Sequence, residues 1–285
     1  MTGPVLAIDQ GGTKLLCALV EAGHVIEQVT TPTERKAGPE AWLDAAARLA
    51  APWQGRFERV GIAVTGRVSE GMWSALNPGT LSVPEQTPYA LMAEARLNCP
   101  VTLANDAQAA AWGEFLHGAG EAQDMVYLTI STGIGGGIVV GGRLLSGRSG
   151  LAGHAGQMRG LDLRGALVED QMSGRWIAQA AALSGHDTDA RGVFEAAGQG
   201  AGWAEEIVST AAARAAALCA DLQMLIDPPR IVIGGGVGLA PGFLDRIRAG
   251  LSKLPEPLRP DLRVAALGGA AGIIGIAGLA GHAGT

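Results

Sequence analysis

Three places in the chain set glycines at the end of an apolar run, two of them with hydroxyl groups and one with a carboxylate as well. They are Asp9-Gln10-Gly11-Gly12-Thr13, Ser131-Thr132-Gly133-Ile134-Gly135-Gly136-Gly137 and Gly234-Gly235-Gly236. Glycine lets backbone N–H groups come close to an anionic oxygen, and the hydroxyls of Thr13, Ser131 and Thr132 add donors, so each junction could hold phosphate. Taken singly, each is equally a tight turn between paired strands; three in one chain point to a shared ligand. The two common nucleotide signatures are missing, since there is no Gly-Lys dipeptide for a Walker A loop and no G-x-G-x-x-G after a strand. A fourth junction, Asn105-Asp106, sets a carboxylate between a short apolar run and an alanine-rich stretch, where an acid would cap a helix.

The apolar pattern supplies the elements that must position these groups. Val5 to Asp9 reads as a buried strand, Lys14 to Val20 as a returning strand, and His24 to Thr30 as a third. The same order recurs with a strand at Met125 to Ser131, a glycine loop at Thr132 to Gly137, and strands at Ile138 to Val140 and Arg143 to Leu145. Between these sets, residues 40–51 have helical composition, 60–65 and 101–104 read as strands, and 107–116 as a helix. Further on, residues 202–226 form a long alanine-rich helix stopped by Asp227-Pro228-Pro229, followed by strands at 230–233 and 262–267 and a closing Gly/Ala helix. Alternating strands and helices of this kind predict an α/β protein of two lobes built on one plan.

With 285 residues, 48% hydrophobic and 17% charged, the chain can bury a large core and disorder is excluded. A net charge of −6 without any basic cluster leaves no electrostatic footprint for nucleic acid. Cys17, Cys99 and Cys219 are too scattered for a sequence-local zinc site, and their odd number does not fit a disulfide framework; they read as small core residues of a protein in a reducing compartment. The first residues lack the basic start of a signal peptide, and Gly268 to Gly281 is too short to cross a bilayer. The expectation is a cytoplasmic protein with neither membrane nor nucleic acid as a partner.

Asp9-x-Gly11-Gly12-Thr13-Lys14, Asn105-Asp106-Ala107-Gln108-Ala109-Ala110, Ser131 to Gly137, Leu151-Ala152-Gly153-His154-Ala155-Gly156 and Gly234 to Gly236 occur in this order over nearly the whole chain. Together they resemble the ROK (repressor, open reading frame, kinase) family of sugar kinases, and within it the bacterial N-acetylmannosamine kinases. The resemblance implies an actin-like, hexokinase-like ATPase fold with two lobes around a cleft, one from residues 1–106 with 267–285 and the other from 107–266. It also implies ATP and Mg²⁺, transfer of the γ-phosphoryl group to the 6-hydroxyl of N-acetyl-D-mannosamine in sialic acid breakdown, and a homodimer. Family kinases for N-acetylglucosamine, glucose or fructose are the alternatives, followed by a non-catalytic sugar sensor. A family repressor would need an N-terminal helix-turn-helix, for which a first strand at Val5 leaves no room.

By the same resemblance, Asp106 is the catalytic base. A sugar hydroxyl is a poor nucleophile, and a carboxylate can orient it and accept its proton. Asn105, His154, Glu169, Asn77 and Gly66 fall at sugar-binding positions. Asp9 falls near Mg²⁺, touching it directly or through water. Gly11, Gly12, Thr13, Lys14, Ser131, Thr132, Gly133 and Gly135 surround the phosphates, with Gly234, Gly235 and Gly236 near the adenosine. On their own, Asn77-Pro78-Gly79 is also a good turn and Glu169 an ordinary solvated acid. The sequence departs from the family pattern in two places. His154 stands where most ROK glucokinases have a glutamate, and an imidazole can donate as well as accept, so the hydroxyl pattern it reads must differ. Gln157 stands where the family has a zinc-binding histidine, and Met158 to Leu167 contains no cysteine. A zinc-free protein is therefore expected, with packing of Leu161, Leu163 and Leu167 ordering that loop instead.

Overall fold

The first strand, β1 (Val5–Gln10), is apolar from Val5 to Ile8 because both of its faces are covered, and it ends in Asp9 and Gln10. In the computed structural model, which describes residues 3–76, 79–159 and 165–282, it is followed by β2 (Lys14–Glu21), β3 (His24–Pro32), α1 (Pro39–Ala50) and β4 (Val60–Val64). A small hairpin, β5 (Arg67–Ser69) and β6 (Met72–Ser74), then leads to α2 (Tyr89–Leu97), β7 (Val101–Asn105) and α3 (Asp106–His117). The second half contains β8 (Met125–Ile130), β9 (Ile134–Val140), β10 (Arg143–Leu144), α4 (Glu169–Met172), α5 (Gly174–Leu183), α6 (Ala190–Gly198) and α7 (Gly202–Ile226). It ends with β11 (Arg230–Gly234), α8 (Gly235–Gly238), α9 (Phe243–Leu251), β12 (Leu262–Val264) and α10 (Ala271–His282).

The strands form two five-stranded sheets of identical plan, β3-β2-β1-β4-β7 and β10-β9-β8-β11-β12. In each, the central strand pairs antiparallel with the strand that follows it and parallel with the next one in its sheet. Alternation along the central strands sorts the core into layers. Leu6 and Ile8 pack with Trp42 and Leu43 of α1 and Tyr89 of α2, while Val5 and Ala7 pack with Ile273 and Ile276 of α10. Val126 and Leu128 pack with α7 and α9, whereas Met125 and Tyr127 pack with Ala111, Trp112 and Phe115 of α3. Helices α10 and α3 therefore lie between the sheets. There they touch backbone to backbone: a Cβ on Gly113 or Gly275 would collide with Ala271 or Ala109 of the facing helix.

Several element boundaries differ from the sequence reading. Gly135, Gly136 and Gly137 are not loop residues but part of β9, which starts at Ile134. Gly135 and Gly137 are glycine because α3 lies directly on them, so that a Cβ at Gly135 would sit 2.7 Å from the Ala107 methyl and one at Gly137 2.5 Å from the Ala111 methyl, while one at Gly136 would sit 2.7 Å from the Gly153 carbonyl on the other face. The glycine loop shrinks to Ser131–Gly133. In the same way, Gly235–Gly238 is a helical turn rather than a loop, and β12 stops at Val264. Helices α2, α5, α6 and α9 had no counterpart in the sequence reading.

Candidate active site

The N-terminus of α3 organises the cleft. The cap is Asn105, not Asp106: its backbone is extended, and its Oδ1 accepts from Ala107 N at 2.9 Å and Gln108 N at 3.1 Å. Asp106 is already helical, which leaves its carboxylate free to face the cleft while one oxygen accepts from Ala107 N at 2.8 Å. The Asn105 amide also donates to the Gly66 carbonyl at 2.9 Å, tying the end of β7 to the turn after β4. Gly66 has φ +100°, and a Cβ there would lie 2.6 Å from the Ser74 carbonyl, so the turn needs glycine. Gln108, one turn into the helix, donates to Ala152 O at 2.9 Å and anchors the loop that carries His154. The His154 ring sets Nε2 3.3 Å from Gly66 O and leaves Nδ1 buried with no protein partner among the described residues.

Opposite Asp106, Glu169 at the start of α4 accepts from Ile134 N at 3.1 Å and from Arg175 Nη2 at 2.5 Å. These groups line a polar cavity of about 330 Å³, together with Gly12, Thr13, Ser131, Thr132, Gly133 and Gly135. The structure thus brings most of the expected site residues to one place. A second cavity of about 880 Å³, lined by Ala178, Ala190, Phe194, Gly236, Val237, Leu239 and Pro241 among others, meets the first at Ser131, Thr132 and Arg175. Asp9, Gly11, Lys14, Gly234 and Gly235 line neither cavity. Asp9 sits within β1 opposite Leu16 and Ala63, and Gly11 N closes its turn on Lys14 O at 3.1 Å. Asn77, Leu161 and Leu163 fall outside the described residues.

Charge is concentrated here. Loss of hydration, then the nearby negative charge of Asp106, pushes the Asp9 carboxyl up to about 6, against the opposing pull of Lys14. Asp106 is open to solvent through the cleft mouth. The walls around it still remove enough hydration to push its carboxyl up to about 6, partly offset by the hydrogen bonds from Ala107 and Asn105. Asp9 is near enough to Asp106 to feel its charge, and carboxylate oxygens of this kind suit a hard divalent cation. Among the described residues, no three His, Cys, Asp or Glu side chains converge to hold a metal ion by themselves.

Sequence reasoning missed Arg35, Thr65, Thr80 and Arg175, all of which line the polar cavity. Arg35 Nε donates to Gly12 O at 2.9 Å, and nothing local in the sequence marks it. Arg175 directly follows Ser173-Gly174, so a signal was adjacent, but its meaning depends on where α5 docks. Gln157, noted only as a departure from the zinc pattern, also lines the cavity.

The sequence profile of the ROK family matches residues 5–283. The bifunctional enzyme NanE/NanK of Brucella melitensis biotype 1 is 51% identical over 273 residues, which is 95% of this chain and 53% of that protein. The chain therefore spans about half the length of the bifunctional relatives it matches. The N-acetylmannosamine kinase of Shigella flexneri is 41% identical over 270 residues, 92% of each chain. Among solved structures, a ROK hexokinase from Thermus thermophilus superposes with a TM-score of 0.81 at 32% identity, covering 96% of both chains. A ROK family glucokinase from Streptomyces griseus in complex with glucose and AMPPNP gives a TM-score of 0.81 at 31% identity, covering 98% of this chain and 99% of that one. The hexokinase-like, actin-like architecture of two α/β lobes is the fold of this chain.

Proposed function

The chain belongs to the ROK family, and from that premise we propose that it is an ATP-dependent kinase that phosphorylates N-acetyl-D-mannosamine at the 6-hydroxyl. One observation carries the reading. A polar, sugar-sized cavity and a larger, mainly apolar one meet at Ser131, Thr132 and Arg175, with the Asp106 carboxylate on the sugar side of the junction. A nucleotide whose base lies toward Phe194 and Leu239 would present its terminal phosphate to a hydroxyl held beside Asp106. The amino-sugar assignment is supported by the similarity to the Shigella flexneri N-acetylmannosamine kinase and by His154, whose unpartnered Nδ1 can serve the sugar.

In this reading Asp106 accepts the hydroxyl proton as the oxygen attacks the γ-phosphorus, and Asn105 fixes the helix end that aims the carboxylate. His154 and Glu169 orient the sugar. The hydroxyls of Ser131 and Thr132 and the short Gly12–Thr13 and Ser131–Gly133 turns hold phosphate oxygens. Asp9, directly or through water, together with the nucleotide phosphates, would hold Mg²⁺, which neutralises phosphate charge when bound. Closure of the two lobes, taken as 1–106 with 267–285 and 107–266, would exclude water as a competing acceptor. A cytoplasmic homodimer completes the proposal. A coupled ATP assay with N-acetylmannosamine, N-acetylglucosamine, glucose and fructose tests it: the first is expected to give the highest kcat/KM, and a preference for glucose or fructose would reject the amino-sugar assignment.

A further inference from the structure

Two guanidinium groups line the polar cavity, Arg35 and Arg175, and their situations differ. Arg35 is anchored to the Gly12 carbonyl and lines only the sugar side. Arg175 is the one charged side chain, among the described residues, that lines both cavities. Its Nη2 donates to Glu169 Oε1 at 2.5 Å, while Nε and Nη1 have no partner among the described residues. Glu169 is in turn held by Ile134 N through its other oxygen and is largely enclosed, its side chain 14% exposed. A pinned carboxylate thus presents a cation with spare donors at the boundary between the two cavities.

The start of α5 supplies no other positive group there. Gly174 N donates to Ser131 O at 2.7 Å, Arg175 N to Thr132 O at 3.2 Å, and Trp176 N to Ser173 Oγ at 3.3 Å. The first two N–H groups of the helix are spent on fastening it to the turn that borders both cavities, and the third on its own cap. A Cβ on Gly174 would lie 2.8 Å from the Ser131 carbonyl, which shows how closely the two segments abut. The dipole remains, but of the donors that α5 brings to the junction, those left for an anion belong to the Arg175 side chain, which is cationic where the neighbouring Ser131 and Thr132 hydroxyls are neutral.

We propose that Arg175 is a catalytic residue whose guanidinium binds the γ-phosphoryl group as it passes from the nucleotide cavity to the sugar, and that Glu169 is the positioning residue that holds it. The inference rests on the kinase reading above. In the step, the sugar hydroxyl oxygen forms a bond to the γ-phosphorus and the bond from that phosphorus to the β–γ bridging oxygen breaks. The electron pair of the broken bond leaves on ADP, and the hydroxyl proton passes to the Asp106 carboxylate. The Nε and Nη1 donors of Arg175 pair with the non-bridging oxygens, where charge is spread during transfer. Glu169 retains lone pairs for a sugar hydroxyl while it does this.

The test compares wild type with Arg175→Met, Arg175→Lys and Arg175→Ala. The Met and Ala variants should lose about 100- to 1000-fold in kcat, with KM for ATP and sugar changed less than threefold. Lys should restore only a minor part of the rate because it lacks the planar fork. Guanidinium ion added to Arg175→Ala should raise its kcat in a saturable manner. By calorimetry, ADP should bind wild type and Arg175→Met alike, while ADP with aluminium fluoride and N-acetylmannosamine should bind the variant at least tenfold more weakly. Variants that keep kcat within threefold, lose only in KM, or bind the aluminium fluoride complex as wild type does would overturn the inference and leave the kinase reading standing. A wild-type chain that phosphorylates no sugar would overturn both.

Discussion

Replacing Asp106 with Asn separates chemistry from architecture. The substitution keeps the acceptor that meets Ala107 N at 2.8 Å and leaves the Asn105 cap and its bond to Gly66 untouched. The helix end therefore stays in place, and the sugar KM should remain within about threefold. In the proposed mechanism what disappears is the proton acceptor, worth roughly 10²–10⁴ in rate, or about 3–5 kcal/mol of barrier. Stability moves the other way. The Asp106 carboxyl is pushed up to about 6 in the folded chain from an ordinary value of 3.8, so the native state holds this proton more tightly than the unfolded state does. The stability this group contributes is fully present below about pH 4 and is lost as the pH rises through about 6. At pH 8 the wild type carries an ionised, poorly hydrated carboxylate, and a neutral amide removes that cost. Steady-state kinetics with N-acetylmannosamine and thermal melts at pH 8 should show a kcat lower by 100-fold or more and a Tm equal to or above wild type. A kcat within tenfold of wild type, or a Tm lower by several degrees, would refute the reasoning.

Three further outcomes follow from the same geometry. The wild-type kcat/KM should fall below an apparent pKa near 6, because in the proposed mechanism Asp106 must be ionised to accept a proton while loss of hydration opposes its ionisation; a flat profile from pH 5 to pH 8 would contradict this. Gly137→Ala, whose new Cβ would lie 2.5 Å from the Ala111 methyl and 3.1 Å from Gln108 Cα, should cost about 1–3 kcal/mol by denaturant titration and disturb the cleft by pushing α3 off β9. Glu114 is fully buried and accepts from Ala119 N at 2.9 Å, Ala266 N at 3.0 Å and Leu267 N at 2.8 Å. Glu114→Ala removes the acceptor of three N–H groups, half-buried at Ala119 and Leu267 and exposed at Ala266, and should cost about 1–3 kcal/mol, with Glu114→Gln losing less because one oxygen remains.

The duplicated sheets were legible because their central strands are buried on both faces and read as apolar runs, as in Val5 to Ile8 and Met125 to Leu128. The glycine run after Ser131 was partly misread for a physical reason. A glycine required by a phosphate and one required by a helix packed across a strand look the same in sequence, and only the approach of Ala107 and Ala111 to Gly135 and Gly137 distinguishes them. The exchange of roles between Asn105 and Asp106 was hidden likewise, since both residues cap helices well and a shift of one position decides which faces the cleft. Arg175 could not be valued from sequence, because its place at the cavity junction depends on α5 docking against Ser131 and Thr132.

The most direct test of the central claim is phosphorus and carbon NMR of a reaction containing the protein, ATP, Mg²⁺ and N-acetyl-D-mannosamine. The account predicts ADP and sugar phosphate in equal amounts, with the phosphate on the oxygen of carbon 6. ADP formed without a sugar phosphate, or phosphate on the anomeric oxygen, would contradict it.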